Sequence, residues 1–162
     1  MFANLQRSFD RIGAKVSITL AVEEIFRNRN LTQRAPARLN IIDKKGEEIF
    51  EISVRKDLLT NLELSIIEVR PKDKHLLLLS RQLDSEGDAV NKDHFLCGRD
   101  ERHLFVASVE GVSTVAAAKA SLKPKEILNK EVGLSEEKRN RRKTKAFRRQ
   151  GEWFFIPTSL VV

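Results

Sequence analysis

The chain has one cysteine in 162 residues, Cys97. That excludes an internal disulfide and any zinc site built from several thiolates. No apolar run approaches the ~20 residues that span a bilayer. No signal peptide is expected at the N-terminus, because Arg7, Asp10, Arg11 and Lys15 interrupt the only candidate stretch. The phosphate-cradling GxxxxGK, the dinucleotide GxGxxG, the nucleophile-elbow GxSxG and the metalloprotease HExxH are all missing. So are the ribonucleoprotein aromatic motif, the GXXG loop and any cysteine–histidine finger, so no standard nucleic-acid module is identified. There is no internal repeat. The expectation is a cytoplasmic protein with no cofactor and no membrane partner.

One further absence is local. Residues 138–149, KRNRRKTKAFRR, hold eight basic residues and no acidic one. Removing those eight charges from the chain's +7 leaves the other 150 residues at −1. The basic character is therefore one segment attached to a nearly neutral body. Apolar residues at 41 % are enough to bury a core, and charged residues at 33 % exceed the usual quarter, as an aqueous surface requires.

Read in order, Phe2, Leu5, Phe9, Ile12 and Val16 fall on one face of a helix, with Gly13 weakening its end. A core-packing stripe is the expected role, with partner docking as the alternative. A second helix is expected from Ser17 or Thr19 to Asn28, with Leu20, Val22, Ile25 and Phe26 facing inward. Strand patterns begin after Pro36. Gly46 suits the positive φ that closes a hairpin, and Phe50, Ile52 and Val54 alternate with polar residues. Leu62, Leu64 and Ile66 repeat that alternation. His75–Leu79 is an unbroken apolar run, expected as a central strand covered on both faces. Residues 82–92 read as a mobile loop, and 94–97 with 102–109 as a further hairpin.

After Gly111 the pattern turns helical. Ser113 is the expected cap of an alanine-rich helix, Pro124 separates it from the next, and Gly133 stops that one. Ser135 then caps a helix carrying the basic run. The predicted fold is α+β: an antiparallel sheet of about six strands flanked by N- and C-terminal helices, with an extended basic helix near the C-terminus. The expected domains are 1–133, globular, and 134–162, the basic helix with an aromatic strand.

On a helix, Lys138, Arg141, Arg142, Lys145 and Arg149 share one face, with Arg139 and Lys143 on its flank. No apolar residue stands between Ser135 and Ala146, so packing does not explain such a helix. Its like charges also oppose its formation, and a polyanion removes that penalty. Arginine clamps phosphates with two parallel bonds, so the segment predicts contact with DNA or RNA through Lys138, Arg141, Arg142, Lys145, Arg148 and Arg149. Trp153 and Phe155 directly after it supply the rings on which bases stack. The function expected is a non-enzymatic nucleic-acid-binding protein or subunit. One alternative is a module docking its basic helix on a protein partner with an acidic surface. Another is a metal-dependent hydrolase: a two-residue turn at Arg99–Asp100 would place His94 opposite Phe105 and make His94, Glu101 and His103 neighbours, a catalytic set able to hold a metal. Cys97 would point to the other face, away from both histidines.

Overall fold

The structure, a computed structural model, describes residues 2–21, 36–100, 102–139, 141, 143–144, 147–150 and 153–157. Two compact units divide the chain, Met1–Ala118 and Lys119–Val162.

The first unit is α+β, with seven strands in two sheets among the described residues rather than about six in one. Helix α1 (Phe2–Asp10) buries Leu5 and Phe9, and Ile12 follows them into the core from the turn after it. The helix stops where Gly13 takes φ +72°, with Ala14 N–H donating to the Phe9 carbonyl and Gly13 N–H to that of Asp10. This crossed pair of bonds is a Schellman cap. The stripe therefore ends at Ile12, and Val16 opens a strand. The expected second helix does not begin at Ser17 or Thr19. Val16–Ala21 is strand β1, parallel to β3 (Glu47–Arg55) with Val16, Ile18 and Leu20 opposite Phe50, Ile52 and Val54. The β-branched, period-2 alternation VSITL fits a pleat better than a helix. The remainder of that expected helix, with Val22, Ile25 and Phe26, lies outside the described residues.

Strand β2 (Ala37–Lys44) pairs antiparallel with β3 through a two-residue turn in which Lys45 and Gly46 both have positive φ, as the primed hairpin turns require. A 3₁₀ turn (Lys56–Asn61) leads to the second sheet. Its strands β4 (Leu62–Arg70), β5 (His75–Leu83), β6 (Ala89–Asp100) and β7 (His103–Val109) lie in sequential order, an antiparallel meander. The loop expected over 82–92 is much shorter. Asp84 Oδ1 accepts from the backbone N–H of Glu86 and Asp88, folding 84–88 into a tight turn.

Alternation along β5 organises this unit. Leu76 and Leu78 face a core shared by both sheets and α1, with Phe9, Phe50, Ile52, Leu64 and Cys97. Leu77 faces the opposite side, where Leu96, Val109, Val115 and Ala118 cluster. The leucine run is thus covered on both faces. Helix α2 (Val115–Ser121) covers the second face. Its first turn is capped by Thr114 rather than Ser113, the Thr114 Oγ1 accepting from Ala117 N–H, while Glu68 Oε2 accepts from Val115 N–H at 2.5 Å. Glu68 reaches that side because β4 slips register between Ile66 and Glu68.

The two sheets are also tied at one end. Glu48 on β3 accepts from His103 Nδ1 at 2.9 Å and from Leu104 N–H at 2.7 Å, both on β7. The Leu104 bond first, then the His103 bond, holds the Glu48 carboxyl below its ordinary value of 4.5. A depressed carboxylate contributes stability above its unfolded pKa, lost as pH falls through the folded one. Urea midpoints measured from about pH 6 down to about pH 3 should therefore fall in the wild type, with Glu48→Gln flattening that decline and costing about 1 kcal/mol at neutral pH. An identical acid limb in the variant would remove Glu48 from the account.

The second unit contains α3 (Lys125–Lys130), α4 (Glu136–Arg139), β8 (Arg148–Gln150) and β9 (Trp153–Phe155). Pro124 stands at the N-cap of α3, and Gly133 turns the chain at φ +82° after it. Ser135 does cap α4, its Oγ accepting from Lys138 N–H at 3.4 Å. But α4 is a single turn. The basic run does not continue as a helix to Arg149. Lys143 forms a bridge with Arg148, and β8 pairs antiparallel with β9. A short helix with no stripe to bury is marginal in water, and its i,i+4 like charges work against it. The first apolar side chain described after α4, Phe147, is buried beside a hairpin instead.

Candidate nucleic-acid interface

The hairpin begins at a tight turn. Thr144 N–H donates to the Phe147 carbonyl at 2.9 Å, and Phe147 N–H donates back to Thr144 Oγ1 at 3.1 Å. Arg148 is therefore paired on one side with Lys143, and on the other with Phe155. Directly opposed residues of antiparallel strands project from the same face, about 5 Å apart. Lys143, Arg148 and Phe155 thus form one row across three adjacent backbone segments. All three are exposed, Phe155 at 54 %.

The opposite face is anchored. Phe154 alternates away from Phe155 and meets Phe147 edge to face, ring centroids 5.3 Å apart. Phe147 is 1 % exposed, and the Lys123 ammonium stands 5.7 Å from its ring centroid. That ammonium donates to both oxygens of Glu131 at 2.8 Å and to the Arg139 carbonyl, the end of α4, at 3.0 Å. Both charged side chains are buried. Lys123 so fastens α3, the end of α4 and the hairpin's inner ring at one point.

The cations of the run separate by role. Arg139 folds back, its Nε donating to the Leu134 carbonyl at 2.6 Å. Arg141 pairs loosely with Glu137 at 3.3 Å, both largely exposed, an arrangement worth a few tenths of a kcal/mol. Lys138, Lys143 and Arg148 are exposed and have no ion-pair partner among the described residues. Arg142 and Lys145 lie outside the described residues. Arg149 pairs with Phe154 and Trp153 with Gln150 in the backbone register. The single helical face expected to carry Lys138, Arg141, Arg142, Lys145 and Arg149 is replaced by a helical turn and a hairpin. Reading the run as a helix missed Lys143 as the cross-strand neighbour of Arg148.

The hairpin at 93–103 does not assemble the alternative site. The β6–β7 register pairs His94 with Val109 and His103 with Asp100, so Arg99 and Asp100 belong to the paired strand and not to the turn. Along β6 the two histidine positions are six residues apart, on the order of 20 Å at ~3.3 Å per residue. His103 is bonded to Glu48, and Glu101 lies outside the described residues. Among the described residues no three His, Cys, Asp or Glu side chains converge as a metal site. Cys97 does point away from the histidine face, into the two-sheet core, and burial pushes its thiol far above the usual range. The amphipathic stripe of α1 is likewise spent on that core through Leu5, Phe9 and Ile12.

Among the described residues no helix is long and apolar enough to cross a membrane. Comparison with protein-family models, with curated proteins and with solved structures gives no match.

Proposed function

We propose that this protein binds nucleic acid without transforming it, in the cytoplasm, through the hairpin of its second unit. The observation that carries the reading is the Lys143–Arg148–Phe155 row: two cations with no acidic partner among the described residues, beside an exposed ring, on the open face of a hairpin whose other face is packed. Lys138 and Arg141 extend the positive surface. Phosphate contact relieves the mutual repulsion of these charges and releases counterions from the polyanion. A purely solvated charge run gives no reason for an aromatic side chain in the same row.

The test is binding of labelled DNA and RNA across a salt series, with the triple variant Arg141→Ala, Lys143→Ala, Arg148→Ala beside the wild type. Log affinity should fall linearly with log salt, and the variant's slope should be shallower by about 2–3 units, at ~0.7 per single-strand and ~0.9 per duplex phosphate released. Binding to an acidic protein surface with no affinity for either nucleic acid at low salt would replace this reading with the docking one.

A further inference from the structure

Resting on that reading, we propose that the ligand is single-stranded, with an unpaired base stacked on Phe155 and its flanking phosphates held by Arg148 and Lys143. Phe155 is 54 % exposed although it is paired with Arg148 in the hairpin, and its neighbour Phe154 shows that this hairpin has a packed side available. The ring shares a face with Arg148 because the register pairs the two directly. A duplex offers phosphates to Lys143 and Arg148 but no free base face, since its bases are already stacked on each other. Only an unpaired nucleotide uses all three members of the row. Every base has a π-face, so a stacking platform of this kind binds strands with little sequence preference.

The row is short. Lys143, Arg148 and Phe155 are successive cross-strand neighbours, so the span from the first to the last is about 10 Å at ~4.8 Å per strand spacing. That length accommodates a base and the phosphates next to it, so the hairpin contacts a few nucleotides only.

The experiment titrates the full chain with labelled single strands of about 12 nucleotides, DNA and RNA, and with the blunt duplex of the same sequence. Quenching of Trp153, the only tryptophan and two positions from Phe155, follows the same titration from the protein side. Wild type should prefer the single strands. Phe155→Ala should lose roughly tenfold in single-strand affinity and almost nothing for duplex, Phe155→Leu should behave like it, and Phe155→Trp should retain binding. Equal affinity for single strand and duplex, with Phe155→Ala and Phe155→Leu unchanged, overturns the stacking proposal while leaving phosphate binding in place. No affinity for any strand at low salt overturns both. Binding to anionic lipid vesicles in preference to any strand would do the same.

Discussion

Replacing Lys123 with Met is expected to destabilise the second unit by about 3–5 kcal/mol, the range for removing one partner of a buried ion pair. Glu131 is 3 % exposed and takes both of its strong bonds from the Lys123 ammonium. Without that cation a carboxylate is left in a site that water does not reach, and the Arg139 carbonyl at the end of α4 loses its donor. The stem of Met fills most of the lysine volume, so the loss measures the charge and not a cavity. Urea unfolding followed by Trp153 fluorescence reads this directly, because the single tryptophan belongs to the second unit. The double variant Lys123→Met, Glu131→Leu should recover most of the loss, since apolar replacement of both members of a buried pair is often close to neutral. A single-variant loss below about 1 kcal/mol would mean that Glu131 is solvated, and the anchor would have to be sought elsewhere.

The parts of the fold that could be read from the sequence are those where one local pattern had no competitor. The Leu5–Phe9–Ile12 stripe, the Lys45–Gly46 turn and the two-sided burial of Leu76–Leu78 follow from periodicity and turn chemistry alone. What was not legible depended on partners far away in the chain. Ser17 and Thr19 look like helix caps until β3 offers a parallel edge for β1. A two-residue turn at Arg99–Asp100 would put His94 opposite Phe105, whereas the strands pair Phe105 with Gly98 and Asp100 with His103. A Cβ at Gly98 would lie 2.6 Å from the Phe105 ring, so only glycine fits opposite that side chain. In the candidate site the expected single helical face is replaced by the one-turn helix α4 and the β8–β9 hairpin. Charge marks the segment as unusual, while its shape follows Phe147 and Phe154, two apolar residues that a charge-based reading passes over.

Those two rings give the second large effect, and it separates the two faces of the hairpin. Phe147→Ala should cost about 3–5 kcal/mol, because it removes a side chain that is 1 % exposed and leaves a cavity between Phe154 and the Lys123 ammonium. The Trp153 unfolding midpoint in urea should fall accordingly. The loss should not add to that of Lys123→Met: the ring and the ammonium face each other, and contacting pairs show coupling of at least about 0.5 kcal/mol. Phe155→Ala, one strand position beyond Phe154, should shift the same midpoint by less than about 0.5 kcal/mol, as surface substitutions do. On the stacking proposal, the same residue type therefore governs stability on one face and ligand on the other. If Phe155→Ala proved the more destabilising of the two, the ring taken as a platform would instead be part of the core, and neither the stacking proposal nor the orientation of the cation row could stand.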